Sequence, residues 1–424
     1  MYNAVAIESS GKPAVVLAAR GFIADAESAA SSQGIPGIRN IETSILNEST
    51  VMEDIEAGID ASMDDIIAAL TRPLSAEEKS PTPKEAEDAA RIFFKGSLEE
   101  VNRFFYQRGW TDGLPVIPPT EEAVAEMMTG TDLPADHIVT RIIPRLGKAT
   151  VEKIAINAVM AGALPSHMPV LIAGVQALMD PMTRFDIFEV STGSWAPFLI
   201  INGPIRNDIQ INCGSGAMSP GNIANAAIGR AIGLIVKNIG GARKGVEDMG
   251  VLGNPGKYSL VLGEYEEESP WEPLHVERGF KKEDNALTLF YPNSLSQTTA
   301  RETNADGIAG SIASLGGGMA CFVVIPRHAK VLAGEGWTKK KVKDFILEKA
   351  TASLSSQDPR RMMVDPEGLI VVVAGGPGAF IGRLASAGGA TMGNSFVTKT
   401  IELPANWDKL VARYKNVVPT YARY

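Results

Sequence analysis

Residues 202–241 constrain the fold of this chain more than any other stretch. An apolar strand closes on Asn202-Gly-Pro, a glycine-rich loop follows, and a run of alanine, glycine and isoleucine comes next. The order of strand, glycine loop and helix is typical of α/β folds. Ser219 is predicted as the N-cap of that helix, with Pro220 at its first position. Because a helix N-terminus carries unpaired N–H groups and a partial positive charge, the loop is predicted to hold an anion or a thiolate.

Composition limits the possible classes of protein. A chain of 424 residues predicts two or three domains, and 42 glycines with 6% aromatic residues favour an α/β fold. The net charge of −9 argues against nucleic-acid binding through a basic face. Two cysteines cannot form a disulfide framework, and neither a signal peptide nor an apolar run of about 18 residues is found. We therefore expect a cytoplasmic protein without membrane contact.

The chain divides into segments of different character. Residues 1–75 predict a small α/β domain with a parallel strand at 13–19, and the polar, proline-bearing residues 76–84 predict a linker. The rest predicts a larger body in two halves, 85–300 and 301–424. We expect parallel-sheet α/β structure throughout.

Local patterns predict several elements of the body. Helices are expected over residues 85–107 and 150–163, and a strand–helix–strand unit over 168–201. Residues 197–204 and 369–377 are both apolar strands that close on Gly-Pro, which indicates an internal duplication of one α/β unit. Chance similarity between apolar strands is the alternative.

Cys213 lies in the glycine-rich loop and is the first candidate catalytic residue. A following helix terminus would activate its thiolate, whereas the alternative is an inert cysteine chosen for its small size. The residues that would bind substrate beside it are Asn212, Gly214, Ser215 and Asn222. Cys321 falls within an apolar strand, so a structural role is expected for it.

An acidic segment over residues 264–278 provides the second set of candidates. Glu272 and His275 are predicted to transfer protons. The alternatives are a divalent metal held by Glu268, Glu272 and His275, or a solvated acidic loop. Its prolines exclude a regular helix, so we expect an irregular but ordered segment.

Trp110 and Trp271 are predicted to form walls of the substrate pocket, since aromatic residues are scarce in this chain. Asp112 is expected to accept backbone N–H bonds in the turn after Trp110 and to contribute to binding. The glycine runs at 316–318, 375–378 and 388–389 match no nucleotide fingerprint, so no nucleotide cofactor is expected.

Three segments resemble a bacterial family whose members are associated with small cysteine or selenocysteine proteins named for a UGSC motif. They are residues 109–120, residues 156–162 with Asn157 as a binding residue, and the acidic segment 267–280. Residues 1–75 resemble a UGSC-type domain that lacks its reactive motif. The resemblance implies that a small cysteine or selenocysteine protein supplies the missing thiol or selenol in a hetero-oligomer. A homo-oligomer is the alternative assembly.

These features together predict an enzyme, or the large subunit of one, that acts on a small polar organic molecule. Lyase or thiol-type chemistry at Cys213 is the leading hypothesis. A metal-dependent lyase or hydrolase and a non-catalytic scaffold for a small redox protein are the alternatives.

Overall fold

The computed structural model describes most of the chain in nine stretches, which are residues 2–32, 37–46, 51–73, 75–76, 93–300, 302–316, 318–354, 368–386 and 395–415. Among the helices of these stretches, none is long and apolar enough to cross a membrane.

The N-terminal unit comprises three helices and a two-stranded parallel sheet. Its elements are α1 (Tyr2–Ser9), β1 (Val15–Ala18), α2 (Ile23–Ser32), β2 (Arg39–Glu42) and α3 (Met52–Thr71). The parallel strand predicted at 13–19 is confirmed as β1. The unit contacts the rest of the chain through Ser28, whose hydroxyl donates to Glu247 Oε1 at 2.6 Å.

The body alternates helices and strands. The helices are α4 (Leu98–Gln107), α5 (Glu121–Met128), α6 (Val151–Ala161), α7 (Met168–Leu178), α8 (Phe185–Phe188), α9 (Ile205–Asp208), α10 (Ile223–Ile235), α11 (Leu274–Glu277), α12 (Ala305–Ser314), α13 (Pro326–Gly334), α14 (Lys339–Leu354) and α15 (Trp407–Tyr414). The strands are β3 (Ile138–Ile142), β4 (Gly147–Thr150), β5 (Phe198–Asn202), β6 (Val261–Gly263), β7 (Ala286–Phe290), β8 (Ser294–Thr299), β9 (Ala320–Val324), β10 (Leu369–Val373), β11 (Phe380–Ala385) and β12 (Val397–Thr400).

Local signals set several helix ends. Ser97 forms a capping box with Glu100 at the start of α4, and the hydroxyl of Thr120 accepts from Ala123 N at the start of α5. The helix predicted over 150–163 is confirmed as α6. The helix predicted over 85–107 is wrong at 93–97, which precede α4 and are not helical, while residues 85–92 lie outside the described residues.

The prediction of a strand within 168–177 is wrong, because this segment forms helix α7. Ten of its eleven residues are buried, so all sides of the helix are apolar. A short apolar run of this kind cannot be assigned to strand or helix by its periodicity alone.

Two four-stranded sheets form the centre of the body and have the same topology. The first sheet has the order β6-β5-β7-β12 and the second has the order β10-β9-β11-β8. In each sheet the first two strands are parallel and the other neighbours are antiparallel. The body is therefore mixed α/β, and the expectation of parallel sheets throughout is wrong.

The sheets exchange their fourth strands. Strand β8 follows β7 of the first sheet along the chain but pairs with β11 of the second, and β12 follows β11 but pairs with β7. By position, β5 corresponds to β9 and β6 to β10. The sequence similarity noted above compares β5 with β10, which are not counterparts in this topology.

The side chains of the strands alternate between two cores. Phe198 and Ile200 of β5 share a core with Cys321 and Val323 of β9, so the two sheets pack face to face. Leu199 on the opposite face of β5 packs with helices α6, α7 and α10, and the outer face of the second sheet packs with α12, α13 and α14. The body therefore has four layers, in which the two sheets form the centre and a layer of helices covers the outer face of each sheet.

Candidate functional site

A cleft lies where the parallel strands of both sheets end. Ligands of α/β proteins bind preferentially at the carboxyl ends of such strands. The cleft has a volume of about 680 Å³, within the range of small-molecule sites. Its walls are formed by Gly214, Ser215, Tyr265, Glu268, Pro326, Arg327, Lys330, Val331, Gly375, Gly376 and Pro377. We call it the sheet-end cleft.

The loop over residues 212–217 is fixed by a buried amide. Asn225, in the first turn of α10, accepts a hydrogen bond from Asn212 N at 2.8 Å. Its Nδ2 donates to the carbonyls of Asn212, Ala217 and Val261. Within the loop, Asn212 Oδ1 accepts from Gly214 N at 3.0 Å in an Asx turn.

Two glycines of the second sheet allow this loop to approach. Gly375 has a φ of +98° and its N–H donates to the Cys213 carbonyl at 2.8 Å. A Cβ on Gly376 would lie 1.8 Å from Ser215 Oγ, so only glycine leaves room for that serine. The two loops therefore join the sheets at the floor of the cleft.

Helix α10 begins later than the sequence predicts. Its N-cap is Asn222 and its first residue is Ile223, whereas Ser219 accepts no cap bond and lies in a turn with Gly216. The predicted Ser219 cap is wrong because Gly221, with a φ of +135°, keeps the chain out of helical geometry at that point. Cys213 is ten residues before the helix and does not lie at its first turn.

Cys213 is partly buried beside the guanidinium of Arg206. Burial raises the pKa of the Cys213 thiol, the Arg206 guanidinium opposes this, and the Glu267 carboxylate raises it further. The net direction is upward, so Cys213 is protonated at neutral pH. Activation to a thiolate by the helix terminus is therefore not supported.

Arg206, on the short helix α9, is the centre of a buried ionic network. Its side chain is 2% exposed, and its Nε lies 3.0 Å from Glu266 Oε1. Its two terminal nitrogens donate to both oxygens of Glu267 at 3.1 and 3.2 Å. The Arg206 guanidinium holds the pKa of Glu267 at about 2 despite the opposing effect of burial.

Glu264 lies behind this network and is fully buried. Its Oε2 accepts from Asn202 Nδ2 and Leu274 N, both at 2.7 Å, and its Oε1 lies 3.3 Å from Lys339 Nζ. Buried carboxylates are tolerated when they are paired in this way. The acidic segment is thus ordered and tied to β5, and its helical structure is limited to short turns such as α11 after Pro273.

His275 joins the network, whereas Glu272 does not. His275 is fully buried, and its Nδ1 lies 4.0 Å from Glu266 Oε1 without a hydrogen-bond partner. Glu272 is exposed and makes none of the bonds that connect Glu264, Glu266 and Glu267. Of the two residues predicted to transfer protons, only His275 therefore lies beside the network.

The two predicted aromatic walls lie in different layers. Trp271 packs with the core of the second sheet, where its Nε1 donates to the Trp337 carbonyl at 2.9 Å. Trp110 packs with the core of the first sheet. Neither lines the sheet-end cleft.

The other predicted binding residues near Trp110 support the packing of α10. Asp112 accepts two bonds from Arg230 at 2.7 and 2.9 Å and one from Leu114 N, which confirms its predicted turn role. Asn157 bonds to Asn238, which also donates to the Trp110 carbonyl. Asn238 lies thirteen residues beyond Asn225, which fixes the Cys213 loop, and at the rise of a helix this is about 20 Å along the helix axis.

Metal binding receives no support from the arrangement of side chains. Within the part of the chain that the structure describes, no group of three His, Cys, Asp or Glu side chains is placed to hold a metal ion. The alternative ligands Glu268, Glu272 and His275 are separated, because Glu268 pairs with Lys330, Glu272 is exposed and His275 is buried.

Several residues of the site were not predicted individually. Arg206, Glu264, Glu266 and Glu267 carry the network, and Arg327 and Lys330 line the cleft. In the sequence, the acidic segment and the glycine run at 375–378 indicated two of the regions that form the site. In the sequence, Arg206 is marked only by its position after Gly203-Pro204. Its hydrogen-bond partners are about 60 residues further along the chain, so no local pattern identifies it as a site residue.

No protein family, curated protein or solved structure was found to match this chain.

Proposed function

We propose that this chain is an enzyme that acts on a small polar organic anion in the sheet-end cleft, with Cys213, which directly precedes the lining residues Gly214 and Ser215, as a proton-donating thiol. The observation that carries the proposal is the position of Cys213, partly exposed beside the buried guanidinium of Arg206 and bonded to the glycine loop of the second sheet. The reaction class that fits a protonated thiol is a lyase or related proton-transfer reaction.

An anionic group on the substrate fits the α13 side of the cleft, where Arg327 adds a positive charge to the ion pair of Lys330 with Glu268. Arg327 and Lys330 project from α13, whose first turn begins at Pro326. The N-terminus of a helix attracts anions through its free N–H groups and dipole. Glycine loops on the facing walls leave the backbone accessible.

The ionic network has a defined role in this proposal. When the Cys213 thiol donates its proton, the thiolate that forms lies next to the Arg206 guanidinium, which stabilises it. Glu266 and Glu267 hold Arg206 in place, and His275 packs against Glu266. Arg206, Glu266 and Glu267 are therefore positioning residues, and Glu272 has no role.

Alkylation by iodoacetamide tests the state of the thiol, with Cys321 as the matched control. Cys213 is expected to react and the fully buried Cys321 to stay unmodified in the folded protein. The rate should reach half its maximum only above the ordinary pKa of a cysteine thiol, because the pKa of Cys213 is raised. A half-maximum near pH 6 would contradict the proton-donor role.

Turnover is tested by a screen of small carboxylic and phosphorylated organic acids, first for a rise in Tm and then for conversion. For a substrate so identified, Cys213→Ala is expected to lower kcat by at least about 100-fold, the scale of general acid catalysis. Cys321→Ala should retain activity if the variant folds. An acid that binds and is converted equally by Cys213→Ala would refute the assignment.

A further inference from the structure

Helix α3 packs on the N-terminal sheet with its small residues. The buried positions of this twenty-residue helix are Gly58 and Ser62, and a Cβ on Gly58 would lie 2.3 Å from the Ile45 side chain. Amphipathic helices of globular proteins usually bury their large apolar side chains. In α3 the half-buried Ile55, Ile59 and Ile66 lie beside Gly58 and Ser62, but further large apolar side chains stay exposed.

Four large apolar side chains of α3 are exposed along one line. They are Met52, Met63, Ile67 and Leu70, with exposed fractions of 59%, 39%, 52% and 41%. At about 100° of rotation per residue, they fall within about 60° of the helix surface. We call this line the α3 stripe. Met63, Ile67 and Leu70 are spaced four and three residues apart, the spacing with which helices contact other helices, and Met52 lies on the same side about three turns earlier.

The charges beside the α3 stripe have one sign. Helix α3 has six acidic residues and no basic residue. Glu56, Asp60 and Asp64 are exposed and spaced four apart. At about 100° per residue, Glu56 lies within the angular range of the stripe, and Asp60 and Asp64 lie about 20° and about 60° beyond its edge. A second copy of α3 would bring like charges together, which disfavours self-association through this face.

We propose that the α3 stripe is a docking surface for a basic amphipathic helix of another protein. Apolar side chains of such a helix cover the stripe, and its lysines or arginines face the Glu56, Asp60 and Asp64 row. Methionines at two of the four stripe positions adapt to the shape of a partner. This inference is independent of the cleft and of its chemistry.

The test measures binding of a fluorescein-labelled 18-residue peptide, made of leucine and lysine in helical spacing, to the full chain by fluorescence anisotropy. The double variant Met63→Ser and Ile67→Ser is expected to weaken Kd by about tenfold. The double variant Asp60→Asn and Asp64→Asn should weaken it by about fivefold and reduce its salt dependence.

The matched control removes two other exposed apolar side chains. Val251 and Leu252 are 75% and 93% exposed on a loop of the body, and Val251→Ser with Leu252→Ser is expected to leave Kd unchanged. Equal binding by the stripe variant and the wild-type chain would overturn the proposal. So would equal binding of a peptide with glutamine in place of lysine, or a dimer of the chain alone that the stripe variant dissociates.

Discussion

The two sheets of the body share one strand order, yet the loops at their carboxyl ends differ in chemistry. The first sheet contributes Cys213, Arg206 and the acidic segment, which are reactive and charged groups. The second contributes a glycine loop and α13, whose Arg327 and Lys330 line the cleft. Burial between layers constrains the strands, whereas the loops are free to diverge, so a common scaffold supports different tasks at its two ends.

Because the two sheets exchange strands β8 and β12, the sheets and their loops form one structural body. Each sheet obtains its fourth strand from the chain segment that follows the other sheet. A change in one sheet therefore affects the packing of the other through the shared core. Variants in the loops of the two sheets measure how far these loops differ in their contribution to stability.

The largest effect is expected for Arg206→Ala in the first sheet's loop. Removal of this buried guanidinium leaves Glu266 without its ion pair and should lower the free energy of unfolding by about 3–5 kcal/mol. Urea unfolding measures the loss. The control is Arg327→Ala at the exposed start of α13, which should change stability by less than about 0.5 kcal/mol. Similar losses of unfolding free energy in both variants would show that the loops of the two sheets contribute equally to stability.

A smaller effect is expected for Gly376→Ala, which tests the contact between the two ends. The added Cβ would lie 1.8 Å from Ser215 Oγ and 2.9 Å from Ser215 Cα, and the overpacking should cost about 1–3 kcal/mol. Gly378→Ala meets no atom within 4 Å and should be neutral or slightly stabilising. Ser215→Gly combined with Gly376→Ala should recover part of the loss. No difference between the two alanine variants would mean that the loops do not touch.

The smallest effect is expected for Asp25→Asn in the N-terminal unit, which contacts the chain beside the helices of the first sheet. Burial and the Glu247 carboxylate raise the pKa of Asp25 from 3.8 to about 6. The folded chain therefore binds more protons than the unfolded chain between these values, so its stability falls as pH rises from about 4 to about 6.

The variant lacks this fall and should be more stable than wild type by about 1 kcal/mol at pH 7.5, after allowance for solvent screening, and equal to it at pH 4. Thermal unfolding at the two pH values measures the difference. Glu27→Gln, on the exposed side of the same helix, is the control for the loss of one negative charge from this helix. A constant difference across pH would exclude Asp25 as its source.

The resemblance to the UGSC-associated family, the partner chain that it implies and the lyase assignment stay predictions. The α3 stripe offers a surface on which a partner can be tested without reference to that family. The bond between Ser28 and Glu247 shows that the N-terminal unit also docks on its own chain.

The sequence by itself determined the local elements of this protein. Caps at Thr120 and Thr150 and the turn at Asp112 are predictable because their partners are within a few residues. It also determined that residues 212–216 form a tight loop and that the acidic segment is ordered. These conclusions rest on backbone geometry and on short-range hydrogen bonds, which a sequence records directly.

Only the tertiary structure decided how these pieces meet. The exchange of β8 and β12, the packing of two sheets and the pairing of Arg206 with Glu266 join residues that are many positions apart along the chain. The raised pKa of Cys213 likewise depends on burial by distant segments and on the Arg206 and Glu267 charges. Long-range contacts of this kind leave no periodic pattern in the sequence, because they depend on which of several compatible packings has the lowest free energy.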